Sequence, residues 1–312
     1  MLDKDQRIEP QDGAGLSEDF GLELYSYGES LCSQKVRVAM AEKHLPYFSH
    51  HIYLCDIAKD CQNLSSEYLE INPKGIVPTL IHNGEKVFNA HRMIRYLDEN
   101  FPHHGTNLWP EDQEKSDVAE YWFDHGMLPD VRGERPNFAS SVALFSRDII
   151  ENLLARQPVD HVIETYKKHP LPERGAIFTA LRTGENPLPL TALELAMDVL
   201  TDGLLGIEQQ LESSGGPYIL GGFSMVDITM MACLHRLEDT HLDNLLAHPA
   251  LPELENYWQR LQARYSYKAG ILDWHDEQNF RSAIVEVFGN KPSPHLGMLE
   301  QKLSAKAAVV SP

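Results

Sequence analysis

The sequence predicts two structural units: an α/β domain on a mixed four-stranded sheet and, after it, an all-α domain. Two observations predict this. Between residues 21 and 103, short β-like runs alternate with apolar residues of helical period, and from Ser116 onward only the helical period remains. The chain has 312 residues, 42% of them apolar, which is enough for two ordinary domains, each with its own core.

Residues 1–20 are acidic, Gly-containing and weakly apolar, and are expected to form a mobile tail. A strand-like run through Leu24 then meets the turn Gly28-Glu29-Ser30. Behind it Cys32, Val36, Ala39 and Met40 stand at i, i+4, i+7 and i+8, one face of a helix packed on a sheet. Ser30 occupies the N-cap position and Cys32 the first turn. There the unpaired N–H groups and the positive end of the helix dipole favour an anionic sulfur. Residues 51–54 read as the next strand. Residues 77–81 read as another, opening on Pro78, which a central strand tolerates only at its start. Asn83-Gly84 is a hairpin signal, residues 86–88 are the return strand, and Ala90–Asn100 is a helix with Met93, Ile94, Leu97 and the following Phe101 inward. The order β-α-β then β-β-α is that of a thioredoxin-like domain.

Residues 104–115 form a linker in which Trp109-Pro110 is expected to anchor against one domain. The helical domain covers residues 116–280. Val118, Tyr121, Trp122 and His125 share a face, and Leu193, Met197, Leu200, Leu204, Ile207 and Leu211 make a long apolar stripe. Leu254, Tyr257, Trp258 and Leu261 repeat the pattern. Ser224 and Asp227 have capping-box spacing, a folding device rather than a catalytic one. Residues 126–190 are the least regular stretch, rich in Pro, Arg and His, and residues 281–312 form an extension that either docks on the body or stays disordered.

A formal net charge of −19 speaks against nucleic-acid and anionic-membrane partners, since both need clustered Lys and Arg. No apolar run approaches the length of a membrane span, and the N-terminus lacks a signal-peptide core. The four cysteines (Cys32, Cys55, Cys61, Cys233) lack CxxC spacing, so neither a metal site nor a disulfide is expected. Cys55, Cys61 and Cys233 read as structural, in a cytoplasmic protein with reduced thiols.

The run S-x-C-S-x-K-V-R from Ser30, N-P-x-G-x-V-P-T-L from Asn72 and Y-L-D-E-N-F-P from Tyr96 resemble the glutathione transferase superfamily. Gly221-Gly222-Phe223-Ser224-Met225-Val226-Asp227 resembles its later G-x-x-S-x-A-D motif, with Val226 in place of alanine. The likeness covers residues 21–102 well and 190–268 more loosely. Within the superfamily, the first turn is similar to zeta and theta enzymes and to tetrachlorohydroquinone dehalogenases. Residues 166–174 look like an insertion of bacterial β-etherases. Ser33–Arg37 and Leu234–Leu237 resemble the ganglioside-induced differentiation-associated protein 1 family, whose members have the fold without a secure transferase activity.

The resemblance implies glutathione as co-substrate, a small hydrophobic or aromatic electrophile, and a homodimer. It implies that Ser30 or Cys32 stabilises the glutathione thiolate. Val77-Pro78 corresponds to the family's cis-proline, which presents the Val77 backbone to the tripeptide. Asn89-Ala90 falls where the family has Glu-Ser. Ala90 removes a hydroxyl that grips the γ-glutamyl group, and His91 or Arg92 is the expected substitute. Tyr27, Tyr121, Trp122, His125, Met127 and Phe138 are the candidates for an electrophile pocket between the domains. Each of these residues also has a plainer reading: Ser30 as a simple N-cap, Cys32 as a small packed residue, the aromatics as core. Two alternatives to transfer stay open: thiol exchange through Cys32, such as reductive dehalogenation or deglutathionylation, and a non-enzymatic binding protein with the same fold.

Overall fold

The computed structural model describes residues 5–10, 20–58, 61–128, 136–185 and 189–310. Its sheet has five strands in the order β1-β3-β2-β4-β5: β1 (Asp5–Ile8), β2 (Leu22–Ser26), β3 (Tyr47–His51), β4 (Thr79–His82) and β5 (Glu85–Val87). Only β2 and β3 run parallel. They are joined by α1 (Leu31–Glu42), the right kind of crossover for a parallel pair. The expected mixed sheet is present, but one strand wider than the sequence suggested. Part of the expected mobile tail, Asp5–Ile8, pairs antiparallel with β3 along its outer edge, and Ile8 packs on the core. A single apolar residue among four gave no strand signal.

The β3 strand also lies upstream of the expected 51–54, ending at His51 because residues 52–58 turn away toward the helical domain. After α2 (Ser66–Ile71), Val77–Pro78 is cis as expected. Asn83 and Gly84 both take positive φ (49° and 86°), the conformation of a tight hairpin turn. The helix α3 spans Ala90–Asn100 and buries Ala90, Met93, Ile94 and Leu97. The linker is held by Asp98, whose carboxylate accepts from the N–H groups of Leu108 (3.1 Å) and Trp109 (3.0 Å), while Arg95 lies over the Trp109 ring at 4.1 Å.

The second domain opens with α4 (Gln113–His125). The stretch expected to be irregular, 126–190, is instead helical over most of its described length: α5 (Phe138–Leu144), α6 (Arg147–Ala155), α7 (Val159–Tyr166) and α8 (Pro172–Thr183). Pro172 sits at the first turn of α8, where it is tolerated rather than disruptive. Next come α9 (Leu190–Ser213), α10 (Met225–Asp239), α11 (Pro252–Gln262) and α12 (Tyr265–Gly270). The α10 helix is the central one, buried on nearly every face and started by the Ser224–Asp227 capping box.

The C-terminal extension docks. A π-helical turn (Glu277–Arg281) leads into α13 (Ser282–Phe288), which packs on α6. After it, α14 (Leu296–Val310) lies on α9, with Lys302 and Lys306 paired to Asp198 and Asp202. The domains meet across α1. Gly270 brings α12 so close that a Cβ there would sit 2.7 Å from the Val38 nitrogen. Arg264 meets Glu42 with two bonds of 2.7 Å. Cys55 and Cys61 form a disulfide, contrary to the sequence expectation. A bend at residues 55–57 and the left-handed Cys61 bring their Cα atoms to 4.1 Å, which six-residue spacing alone does not announce. Among the described residues no helix is long and apolar enough to cross a membrane.

Candidate active site

Sheet register assembles the site. The β2–β4 ladder pairs Tyr25 with Thr79, so the next position, Pro78, lies beside Ser26. The β4–β5 ladder pairs Leu80 with Val87, and continuing it two residues sets Pro78 opposite Asn89. The turn into α1, the cis Val77–Pro78 bond and the start of α3 therefore share one end of the sheet. Tyr68 Oη and Asn72 Nδ2 both donate to the Ile76 carbonyl (2.7 and 2.8 Å) and meet Thr79 Oγ1, bracketing the cis bond from both sides.

Ser30 caps α1: its Oγ accepts from the Ser33 N–H at 3.3 Å. A hydroxyl has one proton to donate besides its two lone pairs, so capping leaves that proton for another acceptor. Cys32, a partly exposed thiol, is the second residue of the helix. Lys35, one turn further and fully buried, donates to the Gly126 carbonyl, which also lies 3.8 Å from Cys233 Sγ. Cys233 is fully buried, and burial pushes its thiol up, in keeping with its reading as a structural residue.

Asn89 starts α3 with φ 70° and ψ 122°, a backbone region that glycine favours and that costs other residues about 1–3 kcal/mol. Its Oδ1 accepts from the N–H groups of His91 (2.9 Å) and Arg92 (3.5 Å). Two of the helix-start donors are thus taken by the chain itself, and Ala90 heads the helix. His91 does not replace the missing hydroxyl. Its ring lies 3.9 Å from that of Phe123, its Nε2 meets the Phe123 carbonyl at 2.8 Å, and burial brings it down to about 4, so it is neutral near pH 7. An α3–α4 contact has claimed it.

The expected electrophile wall is split. Tyr27 is 2% exposed and packs with Phe280, Ala283 and Ile284 of the C-terminal extension, with Val77 against the same cluster. Its hydroxyl donates to Asp276 Oδ2 at 2.9 Å, and burial raises it well above the usual phenol range. Tyr121 (54% exposed), Trp122, His125 and Phe138 line a different hollow of about 1490 Å³ between α4, α9 and α14. His125 Nδ1 is bound to the Tyr121 carbonyl at 2.8 Å, an ordinary helical contact. Met127 is buried in the core.

Beneath the turn lies a charge network that sequence reasoning missed. The carbonyls of Tyr27 and Gly28 accept from Arg37 (3.2 and 2.5 Å), and that of Glu29 accepts from Arg236. Burial brings Arg37 down to about 10, still charged at neutral pH. Arg281 meets Glu29 (Nε–Oε1 3.2 Å) and Asp239 (Nη1–Oδ1 2.5 Å). Arg37 and Arg236 fall on otherwise buried helix faces, which was a readable signal. Arg281 falls in the extension, which carried none.

Residues 24–107 match the glutathione S-transferase N-terminal domain model. Residues 24–107 therefore carry a glutathione S-transferase N-terminal domain. Its fold is similar to that of beta-etherase LigF from Sphingobium sp. strain SYK-6, with a TM-score of 0.69 and 23% identity over 80% of this chain and 98% of that one. A theta-class transferase from Xanthomonas axonopodis pv. citri, solved with glutathione bound, gives a TM-score of 0.52 at 19% identity, covering 81% of this chain and 98% of that one. Among curated sequences, the tetrachloro-p-hydroquinone reductive dehalogenase of Sphingobium chlorophenolicum is 25% identical over 78% of this chain and 93% of its own length. The stringent starvation protein A homolog of Histophilus somni is 29% identical over 41% of this chain, which spans 57% of that relative.

Proposed function

We propose that this transferase-fold chain binds glutathione and uses its thiolate to attack a small hydrophobic, aromatic electrophile. One observation carries the reading: the capped start of α1, the cis Val77–Pro78 bond and the strained Asn89 meet at one end of the sheet. In this reading the Val77 backbone pairs with the tripeptide, the backbone at Asn89-Ala90 holds its γ-glutamyl end, and the Ser30 hydroxyl donates to the sulfur. A thiol ionises near pH 8.5 unaided, so donors and the helix dipole are needed to raise the thiolate fraction at pH 7. The sulfur forms the new bond to carbon, the leaving group departs with its electron pair, and the thiol proton goes to solvent. Aryl-ether cleavage is the proposed reaction, with the etherase-like fold as its support. A cytoplasmic homodimer belongs to the same reading.

Calorimetric titration with glutathione tests the reading, together with ultraviolet thiolate absorbance of the complex. Ser30→Ala is expected to cost about 1 kcal/mol of stability as a lost N-cap and to remove most of the thiolate signal at pH 7. No heat at millimolar glutathione would favour a non-enzymatic binding protein instead. A second reading, thiol exchange, is favoured by the partly exposed Cys32 and the dehalogenase likeness. A glutathione adduct on Cys32 after turnover, seen by mass spectrometry, selects it.

A further inference from the structure

We propose that Arg281, in the C-terminal extension, is a positioning residue: through Glu29 it holds the turn from which Ser30 and α1 begin, and so sets the electrostatic field that a sulfur at that helix start meets. The inference rests on the glutathione reading only for bound glutathione, since Cys32 offers a sulfur of the chain's own at the same place.

Glu29 is two residues from the first residue of α1 and its side chain is fully buried. Its Oε1 accepts from the Asp276 N–H (2.9 Å) and Arg281 Nε (3.2 Å), and Oε2 from Arg281 Nη2 (3.4 Å). All three donors, and Phe280 of the cluster around Tyr27, come from the segment after Trp274. Arg281 continues to Asp239, to His275 Nε2 (2.6 Å) and to His235 Nε2 (3.1 Å). Arg236 joins Glu29 to Asp239 from the α10 side, and Arg37 closes the turn from α1. Tyr27 completes the group through Asp276.

Two guanidinium groups, Arg236 and Arg281, thus face two carboxylates, Glu29 and Asp239, while Arg37 spends its donors on backbone carbonyls and Ser26, and Asp276 is held by Tyr27 and Asn279. Without Arg281, Asp239 keeps Arg236 and His235, while the Glu29 carboxylate keeps only the Asp276 N–H among the contacts named above. Buried carboxylates lacking a partner repel a nearby thiolate and are costly in themselves. The network opposes an anion at the helix start once Arg281 is gone, and is neutral toward it while Arg281 is present.

The test uses the full chain with Arg281→Met, Arg281→Lys and the charge-balanced pair Glu29→Gln/Arg281→Met. The first readout needs no glutathione: the pH dependence of Cys32 alkylation by iodoacetamide, followed by mass spectrometry. The second is the thiolate absorbance of bound glutathione against pH. Arg281→Met is expected to move both midpoints up by about one pH unit, roughly tenfold less thiolate near neutrality. The paired variant and Arg281→Lys are expected to restore at least half of that shift. If Arg281→Met fails to fold, the paired variant and Arg281→Lys carry the test: midpoints within about 0.5 of wild type are expected, and a full unit of upward shift in the paired variant overturns the proposal. A merely structural role would lower the melting temperature and weaken glutathione while leaving the Cys32 midpoint in place, and that result overturns the proposal. A shifted Cys32 midpoint with no glutathione binding supports Arg281 and sinks the glutathione reading alone.

Discussion

At the position where the superfamily resemblance implies a serine, this chain has Ala90, and two of its neighbours are engaged elsewhere. His91 is pinned to Phe123 and Asn89 is spent on capping. A charge-assisted hydrogen bond is worth about 1.5–3 kcal/mol. Ala90→Ser is therefore expected to tighten glutathione binding by about ten- to a hundredfold, read by calorimetry. An unchanged Kd would mean that the γ-glutamyl end does not sit at α3. The sequence carried Ser30, Val77–Pro78 and Asn89–Ala90 legibly, because turn chemistry and capping act between near neighbours. It misplaced His91 and Tyr27, because what claims them (Phe123, Asp276, Phe280) lies 32 to 253 residues away, separations read directly from the numbering.

Among elements, long apolar periods were the legible ones: α1, α3, α9 and α11 run where their stripes said. The helices α5 to α7 escaped because they are short, and those from α5 to α8 follow one another across gaps of two, three and five residues. Strand β1 escaped because an edge strand needs a partner more than a pattern. The disulfide escaped because loop closure is set by the bend at residues 55–57 rather than by spacing. It fastens the loop on which Gln157 docks, through its 2.9 Å bond to the Cys55 carbonyl. Closing so short a loop restricts the unfolded chain modestly, so Cys61→Ser is expected to lower unfolding stability by about 2 kcal/mol. Urea midpoints with and without a reducing agent measure this, and the variant should be insensitive to the reductant.

Over the whole molecule, the extension is a third participant between the two domains. His275 stands at its root, brought down to about 3 by burial and by Arg281. Unfolded, the same ring titrates near 6.5. Between those values the unfolded chain binds a proton that the folded chain refuses, so this residue's contribution to stability falls as pH drops from about 6.5 toward 3. His275→Gln is expected to flatten that part of the melting-temperature profile while leaving the region above pH 7 nearly unchanged. A profile with the wild-type slope would remove His275 from the account. Asp227 runs the other way: burial raises it to about 6, and its contribution falls as pH climbs from about 4 to 6.

Strand β1 has a consequence outside chemistry. Because Asp5–Ile8 is stitched along β3, the flank of the sheet from Tyr47 to His50 is paired, beside an outward-facing Phe48 ring. Trim those four residues, or crowd them with an appended peptide, and the flank becomes an open seam onto which another copy can zip. Clumping of the chain, rather than its handling of sulfur, would be what such trimming alters.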